Sequence, residues 1–442
     1  MNAETLRTIP SVERILSSSA LAPLTAEFGR EQVKEAVVAH LSLLRRSGAA
    51  FDEAALLAEV RGRLSTAVGS SLRRVINGTG VLIHTNLGRC PVNPELWREA
   101  ESLVSGYTNL EFDLDEGGRG KRDEHLASLC ATVFGAEAAI LTNNNAAATL
   151  LLLAATAAGK DVLVSRGELV EIGGAFRVPD VIQQGGARLR EVGTTNRTRA
   201  ADYAEAVTRR TAALLRVHRS NFEIVGFTET PTIAELVEVA RAKKRPLLYD
   251  EGSGRVVDLR KYGFAGGETI RELLSAGVHV VTCSTDKLLG ATQGGLILGR
   301  RELVEQCRRH PLMRALRVGK ETYAIVAATL RAFATGRHET LVPIYQMLSL
   351  TPEALRARAE ELVQGTAWSL TQSHSALGGG TTPTETIPSV AIAAPGDPNE
   401  TQARFLRAGI VGRIVEDRYT VDVRTLQPDD LPVLRAVVTG NR

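Results

Sequence analysis

Short apolar runs alternate with amphipathic stretches through the middle of the chain, from about residue 71 to residue 335. This alternation is typical of an α/β domain with a mainly parallel sheet, because each crossover between parallel strands needs room for a helix. The amphipathic stretches predict helices over Ala146–Ala157, Thr232–Lys243 and Glu268–Ser275. The apolar runs predict strands over Ala138–Leu141, Asp161–Val164, Ala213–Val217, Pro246–Tyr249, Val278–Thr282 and Leu296–Leu298.

The two ends of the chain carry different patterns. Residues 1 to about 70 contain three helical stretches, over Ser11–Leu16, Arg30–Arg46 and Phe51–Arg63, and predict a small helical domain. Beyond residue 336, a helical run over Pro352–Leu370 and a glycine-rich turn at Gly378–Pro383 predict a smaller α+β domain, with short strands around Ser389–Ala393 and Tyr419–Val423. We therefore expect three domains, covering residues 1–70, 71–335 and 336–442.

Composition limits the class of protein. With 442 residues, 44% of them hydrophobic, the chain can form large cores, and its 53 Lys and Arg against 50 Asp and Glu leave a net charge of only +3. Four widely separated cysteines without a CxxC pair predict neither disulfides nor a zinc or other metal site, and favour a cytoplasmic setting. We find no signal-peptide pattern and no apolar run of bilayer length, so we expect no membrane partner.

Charge gives no reason to assign a nucleic-acid partner to the first domain. Residues 1–70 hold eight basic and eight acidic side chains. A helical extension used for assembly is an equally open interpretation.

Lys287 lies just past the predicted strand Val278–Thr282, among small and hydroxyl residues, and a second apolar run follows it. A lysine at the floor of a cleft is desolvated, which lowers its pKa and frees its amine to form a Schiff base with an aldehyde. An ordinary surface lysine is the alternative, although surface lysines are rarely bracketed by two buried-type strands.

Two further strand ends carry polar residues. Ala138–Leu141 runs into Asn143–Asn145 and an Ala/Leu-rich helix, where free backbone N–H groups can face a phosphate, although an ordinary Asn cap explains the same residues. Asp250 ends the strand Pro246–Tyr249; it is either a turn residue or a buried carboxylate, which needs a cation such as a protonated pyridine nitrogen. A phosphate cradle, a carboxylate and Lys287 in this order predict a pyridoxal 5'-phosphate (PLP) site.

Motifs spread over the chain carry a family resemblance. They are Asn77–Gly80, His84–Arg89, Tyr107–Glu111, Asn143–Ala148, Ser165–Gly174, Val217–Phe222 and Asp286–Gly290, with the helical first domain and Gly412–Arg424 at the two ends. Together they resemble bacterial selenocysteine synthase, the L-seryl-tRNA(Sec) selenium transferase family. The resemblance implies a fold-type-I PLP-dependent transferase that converts seryl-tRNA(Sec) to selenocysteinyl-tRNA(Sec) through an aminoacrylyl intermediate, with selenophosphate as selenium donor.

The resemblance also implies roles for individual residues. Lys287 would form the Schiff base and accept the serine α-proton, and Asp250 would hold the pyridinium nitrogen. Asp286 would assist proton transfer, with a structural role in the turn left open, and His218 is either a further cofactor contact or a core histidine. The cofactor phosphate would be held by Asn144, Asn145, Ala146 and Ser284.

Three arginines would bind the anionic selenium donor. Arg314 and Arg317 are three residues apart, so on a helix their guanidiniums would share a face and could fork onto a tetrahedral anion. A solvated basic helix is the alternative for this stretch. Arg89 matches a third member of the family's anion pocket.

The remaining implications concern binding partners, assembly and alternative functions. Residues 1–70 would bind the tRNA, and the family assembly is a homodecamer built as a pentamer of dimers. Glu251 and Thr285 depart from the family pattern. Two other functions stay open: a PLP-dependent lyase or aldolase for a small free amino acid or amino sugar, against which the first domain argues, and a non-catalytic tRNA-binding scaffold, against which intact Lys287 and Asp250 argue.

Overall fold

The computed structural model describes residues 9–67, 71–172 and 176–440, and the chain forms two compact units, 1–74 and 75–442. Parts of three sequence predictions lie outside the described residues. They are residues 1–8 and 68–70 of the first domain, residues 441–442 of the third domain, and Gly173–Gly174 of one motif. The proposed domain boundaries near 70 and 335 stay predictions.

The first unit is helical, as predicted. Apolar residues recur every fourth position on its two long helices, Val33, Val37 and Leu41 on one and Leu56, Val60 and Leu64 on the other, and these stripes form its core. Gly48, with φ of +69°, ends the longer helix in the left-handed conformation. The helices are α1 (Val12–Leu16), α2 (Ala22–Phe28), α3 (Arg30–Ser47) and α4 (Glu53–Ala67).

A seven-stranded sheet organises the second unit, in the order β4-β12-β11-β10-β9-β5-β8. Four of its strand pairings are parallel and the two involving β12 are antiparallel. All six predicted strands are confirmed. The strands are β4 (Ala138–Thr142), β5 (Asp161–Ser165), β8 (Arg188–Val192), β9 (Thr211–Val217), β10 (Leu247–Gly252), β11 (Val280–Ser284) and β12 (Gly295–Gly299).

Helices cover both faces of this sheet, because successive strand residues contribute to two separate cores. Leu247 and Val281 belong to one core, and their neighbours Leu248 and Val280 belong to the other. The three predicted helices are confirmed as α7, α10 and α11. The helices that flank or follow the sheet strands are α5 (Pro94–Ser105), α6 (Glu124–Phe134), α7 (Asn145–Ala157), α8 (Val178–Gln184), α9 (Ala200–Ala206), α10 (Ile233–Lys243), α11 (Ile270–Ala276), α12 (Arg301–Arg309), α13 (Leu312–Leu316), α14 (Lys320–Ala334), α15 (His338–Leu341) and α16 (Pro343–Leu348).

The C-terminal part is an antiparallel sheet, in the order β13-β14-β17-β16, with helices beside it. The helix predicted over Pro352–Leu370 is too long: it ends at Val363, because Gly365 adopts a left-handed φ of +73°, and Ser369 begins a strand. The elements here are α17 (Pro352–Val363), β13 (Ser369–Gly378), β14 (Thr382–Ala393), α18 (Pro398–Arg407), β15 (Ile410–Val411), β16 (Arg413–Val415), β17 (Arg418–Asp422) and α19 (Asp430–Val438).

Short strands complete the unit. β1 (Ile76–Asn77) pairs in parallel with β15, so the first residues of this unit pack against its last third. Further along the chain, two backbone groups donate to β13: Leu82 N–H to Ala376 O at 2.9 Å and Ile83 N–H to Leu377 O at 2.8 Å. Two short antiparallel pairs are β2 (Phe112–Asp113) with β3 (Gly118–Arg119), which form a hairpin, and β6 (Glu171–Ile172) with β7 (Phe176–Arg177). Among the helices that are described, none has the length and apolar character needed to span a bilayer.

Candidate active site

The predicted cofactor residues meet at the carboxyl edge of the sheet. Asp250 on β10 lies in register with Val217 on β9 and with Thr282 on β11. Because these strands are parallel, Ser284 at the end of β11 and His218 just after β9 come to the same edge. The chain then turns back through residues 285–294 into antiparallel β12, and Lys287 lies in this connection.

Asp250 is a buried carboxylate, only 6% exposed. Its Oδ1 accepts hydrogen bonds from Asn145 Nδ2 at 2.7 Å and from Thr282 Oγ1 at 3.2 Å. Burial raises the pKa of Asp250, and these two donors oppose the rise. Within the described ranges no basic side chain forms an ion pair with Asp250, so a cationic ligand beside it would compensate its desolvation.

Lys287 is 8% exposed, and its Nζ donates to the carbonyl of Gly380 at 3.3 Å. Burial lowers the pKa of Lys287, and the nearby charge of Arg89 lowers it further. The approach of the amine depends on a glycine, because a Cβ at position 380 would lie 2.5 Å from Nζ, and the backbone there has a φ of +90°. The lysine is therefore positioned as a desolvated amine facing a neutral partner.

His218 is tied to the same edge. Its backbone N–H donates to Asp250 O at 3.0 Å, and its Nε2 lies 2.8 Å from Thr381 O. A carbonyl only accepts, so Nε2 carries the proton, and burial lowers the pKa of the ring. A neutral His218 therefore links β9 to the turn that also holds Lys287.

The start of α7 confirms the Asn cap, and the phosphate interpretation stays a prediction. Asn144 is the cap, since its Oδ1 accepts from Ala147 N–H at 2.8 Å. The N–H groups of Asn145 and Ala146 have no acceptor in the part of the chain that the structure describes, and Oδ1 of Asn145 is buried without a partner. Unpaired N–H groups at the start of a 13-residue helix suit a phosphate. The hydroxyl of Ser284, at the end of β11, is likewise without a hydrogen bond among the described residues.

These features fit the predicted PLP. Buried Asp250 needs a nearby cation, Lys287 offers a desolvated amine, and the start of α7 has open N–H groups. These match what the ring nitrogen, the aldehyde and the phosphate of PLP require, in that order. Within the described residues, Asp250 and Asn145 are directly hydrogen-bonded, which joins the ring end of such a site to the phosphate end.

Asp286 and Arg89 form an ion pair beside the lysine. The Asp286 side chain is buried and its Oδ1 has no hydrogen-bond partner in the described chain, whereas Arg89 is one-third exposed. Cys90 fixes the same junction by donating from Sγ to Lys287 O at 2.9 Å. Burial raises the pKa of Cys90, so its thiol stays protonated and packs as a structural group.

The predicted geometry of Arg314 and Arg317 is wrong in one respect. Helix α13 ends at Leu316, and Arg317 has an extended backbone that bridges Thr142, so the two arginines do not share a helix face. The chain leaves the helix here because Leu316 O accepts from Asn143 N–H at 2.9 Å. Arg317 pairs with Glu111 at 3.1 Å, while Arg314 is exposed and makes no ion pair with any described residue.

Sequence reasoning missed three contributors. Thr282, a hydroxyl inside an apolar strand, could have been noticed as a partner for the neighbouring strand's carboxylate. The turn at Gly380 was visible only as a glycine-rich loop, and Glu111 only as part of a motif. Glu251, the departure from the family pattern, accepts from Gly254 N–H at 2.6 Å and from the Ser253 hydroxyl, so its carboxylate is used within its own turn.

Comparison with known proteins identifies the family. The L-seryl-tRNA selenium transferase family model matches residues 75–427, and the model for the selenocysteine synthase N-terminal region matches residues 6–45. The L-seryl-tRNA(Sec) selenium transferase of Geobacter sulfurreducens is 45% identical over 96% of this chain and 97% of its own length. That of Carboxydothermus hydrogenoformans is 40% identical over 96% of this chain and 95% of its own.

A solved structure shares the fold. D-Glucosaminate-6-phosphate ammonia-lyase superposes with a TM-score of 0.62 at 22% identity, over 84% of this chain and 96% of its own. At this identity the likeness concerns the fold alone, a mainly parallel α/β architecture. The family assignment rests instead on the match over residues 75–427 and on the near-full-length relatives. By these matches the chain belongs to the L-seryl-tRNA selenium transferase family.

Proposed function

We propose that this protein converts seryl-tRNA(Sec) to selenocysteinyl-tRNA(Sec), with PLP as cofactor and selenophosphate as selenium donor. The observation that carries the proposal is the arrangement of buried Asp250, buried Lys287 and the open start of α7 at one sheet edge. The names of relatives at 40–45% identity support the substrate and the reaction.

The cofactor would be held by residues at four points. Asp250 would face the ring nitrogen, Lys287 would bind the aldehyde carbon, and Asn144, Asn145, Ala146 and Ser284 would surround the phosphate. His218, the residue after β9, would be a further contact of the cofactor. When bound, PLP supplies an electron-withdrawing ring that makes the α-proton of the seryl group acidic and allows its β-hydroxyl to leave.

The protein's own groups then act on protons and charge. Nζ of Lys287, whose pKa is lowered by burial, accepts the serine α-proton. Asp286, paired with Arg89, lies next to this amine in sequence and assists its proton transfer. Arg89, Arg314 and Arg317 bind the selenophosphate anion, for which guanidiniums provide paired donors.

Each of the three predicted domains has its own role. Residues 1–70 bind the tRNA, residues 71–335 carry the PLP site, and residues 336–442 form the small C-terminal domain. The active assembly is a homodecamer, a pentamer of dimers, and the protein works in the cytoplasm. The Lys287–Gly380 contact supports close cooperation between the second and third of these segments.

Replacing Asp250 by Asn should lower the conversion rate by about 100-fold or more, the range seen when one preorganised electrostatic group is removed from a site. The amide keeps the shape and the contact to Asn145 but carries no charge to hold a ring cation. The same change removes a buried charge, so the unfolding free energy of the apo-protein should not fall. Thermal unfolding with and without PLP separates the two effects. A variant with full activity would contradict the role of Asp250.

A conversion assay tests the function as a whole. Purified protein with PLP is given seryl-tRNA(Sec) and selenophosphate, beside free L-serine and a non-cognate seryl-tRNA. We expect selenocysteinyl-tRNA from the cognate tRNA alone. Turnover of free serine without turnover of the cognate tRNA would favour the small-molecule lyase, and tRNA binding without any turnover would favour the scaffold.

A further inference from the structure

Glu111 lies between two arginines that approach the same oxygen. Its Oε1 accepts from Arg122 Nε at 2.6 Å and from Arg317 Nη1 at 3.1 Å. Both guanidiniums lower the pKa of Glu111, the hydrogen bond from Arg122 being the largest cause, so the carboxylate is charged at neutral pH. Arg317, which is proposed to bind the selenium donor, therefore already has an anionic partner in Glu111.

The two contacts are unequal. Arg122 is 17% exposed, and its Nη1 also donates to Val318 O at 2.6 Å, so its guanidinium is fixed at two points. Arg317 is 31% exposed, and the longer contact to Glu111 is the one hydrogen bond of its guanidinium among the described residues. Arg122 therefore retains Glu111 when Arg317 changes partner.

Backbone contacts hold the chain at Glu111 and at Arg317, so Arg317 can exchange Glu111 for another anion by side-chain movement alone. Glu111 O accepts from Gly120 N–H at 3.1 Å across the base of the β2–β3 hairpin. Arg317 is bridged to Thr142, immediately before the α7 start that forms the proposed phosphate cradle. The cluster thus borders the proposed active site without being part of the cofactor contacts.

We propose that Glu111 is an internal competitor for the anion that Arg317 binds, and that it thereby keeps weakly bound monoanions off Arg317 while strongly charged tetrahedral anions still displace it. The inference rests on the proposed function, in which Arg317 binds the selenium donor. A monoanion offers Arg317 no more charge than Glu111 already does. A doubly charged tetrahedral anion offers more charge and a forked set of oxygens that matches the guanidinium, so it displaces the carboxylate.

The test measures binding of inorganic phosphate to the PLP-loaded protein by calorimetry, so that the cofactor cradle is already filled. Glu111→Gln keeps the side-chain shape and should tighten phosphate binding by about two- to fivefold, the size expected for a half-exposed ion pair. Chloride, exchanged for gluconate at constant ionic strength, should compete with phosphate more strongly in this variant than in the wild type. Glu111→Ala should act in the same direction.

Two controls isolate the Glu111–Arg317 pair. Glu116→Gln removes the same charge from the exposed turn of the same hairpin, where the Glu116 side chain makes no hydrogen bond or ion pair with a described residue, and should leave phosphate binding unchanged. Arg317→Ala should weaken phosphate binding, and adding Glu111→Gln to it should give no gain. This double-mutant cycle measures the coupling directly.

The outcomes separate this inference from the function on which it rests. Phosphate binding that needs Arg317 but is unchanged or weakened by Glu111→Gln would overturn the competitor role alone. An equal gain in Glu116→Gln, or a gain that persists without Arg317, would also overturn it, since a general charge effect would then explain the result. If neither wild type nor Glu111→Gln binds phosphate, the anion role of Arg317 fails as well, while cofactor absorbance and tRNA conversion remain independent measures of the function.

Discussion

A Lys287→Ala variant is expected to lose the long-wavelength absorbance of lysine-bound PLP and to convert seryl-tRNA(Sec) at least about 10³-fold more slowly than the wild type, as for removal of a covalent catalytic group. Lys287 is the buried amine at the carboxyl edge of the sheet, and alanine cannot replace its covalent or proton-accepting role. Absorbance titration with PLP and the conversion assay measure the two losses separately.

Lys160→Ala is the matched control, because Lys160 is exposed in the turn after α7. It should retain both absorbance and activity. A wild-type protein without the absorbance band, supplied with PLP, would contradict the mechanism at its first step. So would a Lys287→Ala variant that keeps the band, because another lysine would then hold the cofactor.

The lowered pKa of Lys287 gives this comparison a pH signature. In the apo-protein the folded chain releases the Lys287 proton below the ordinary lysine value of 10.5, where the unfolded chain still binds it. Stability should therefore rise with pH between the lowered pKa and 10.5, and Lys287→Ala should remove that rise. Chemical unfolding of the apo-protein at a series of pH values measures it.

Deleting residues 1–74 is expected to reduce tRNA affinity by about 100-fold or more, a loss of the kind that follows when many phosphate contacts are removed, while PLP binding remains. Residues 75–442 form a compact unit that contains all the proposed cofactor contacts and has its own cores, so this unit should fold without the first. Filter binding with seryl-tRNA(Sec) and PLP absorbance measure the two properties on one preparation.

The interpretation depends on which property is lost. If the truncated protein loses PLP as well, residues 1–74 support the fold of the second unit and the loss of tRNA binding says nothing about direct contact. If it keeps full tRNA affinity, the proposed role of the first unit is wrong. Excess non-cognate tRNA as competitor distinguishes specific binding from phosphate attraction.

The sequence predicted the parts of the fold whose signal is local. Apolar runs marked the six strands because nearly all of their residues are buried, including those of β4 at one edge of the sheet. β8, at the other edge, was missed because most of its side chains are not buried and it carries Arg188, Arg190 and Glu191. The helix starting at Pro352 was extended too far because the left-handed conformation of Gly365 is a backbone property that periodicity does not contain.

The same distinction applies to the candidate site. Asp250 and Lys287 could be found because each follows a predicted apolar strand, and parallel strands end at one edge of a sheet. The residues in contact are 93 positions apart for Lys287 and Gly380 and 206 positions apart for Arg317 and Glu111. No local sequence pattern predicts contacts over such distances. The assumed helix face of Arg314 and Arg317 was wrong because a backbone bond from Asn143 to Leu316 intervenes after the helix.

The partner of the Lys287 amine has a consequence for how readily the lysine reacts. An amine held by a carboxylate is kept as an ammonium ion and must lose a proton and break an ion pair before it attacks a carbonyl. Gly380 instead offers a peptide oxygen, which binds an N–H without requiring a positive charge. Leaving this resting contact breaks one hydrogen bond, and no ion pair with a described residue has to be separated before the amine attacks.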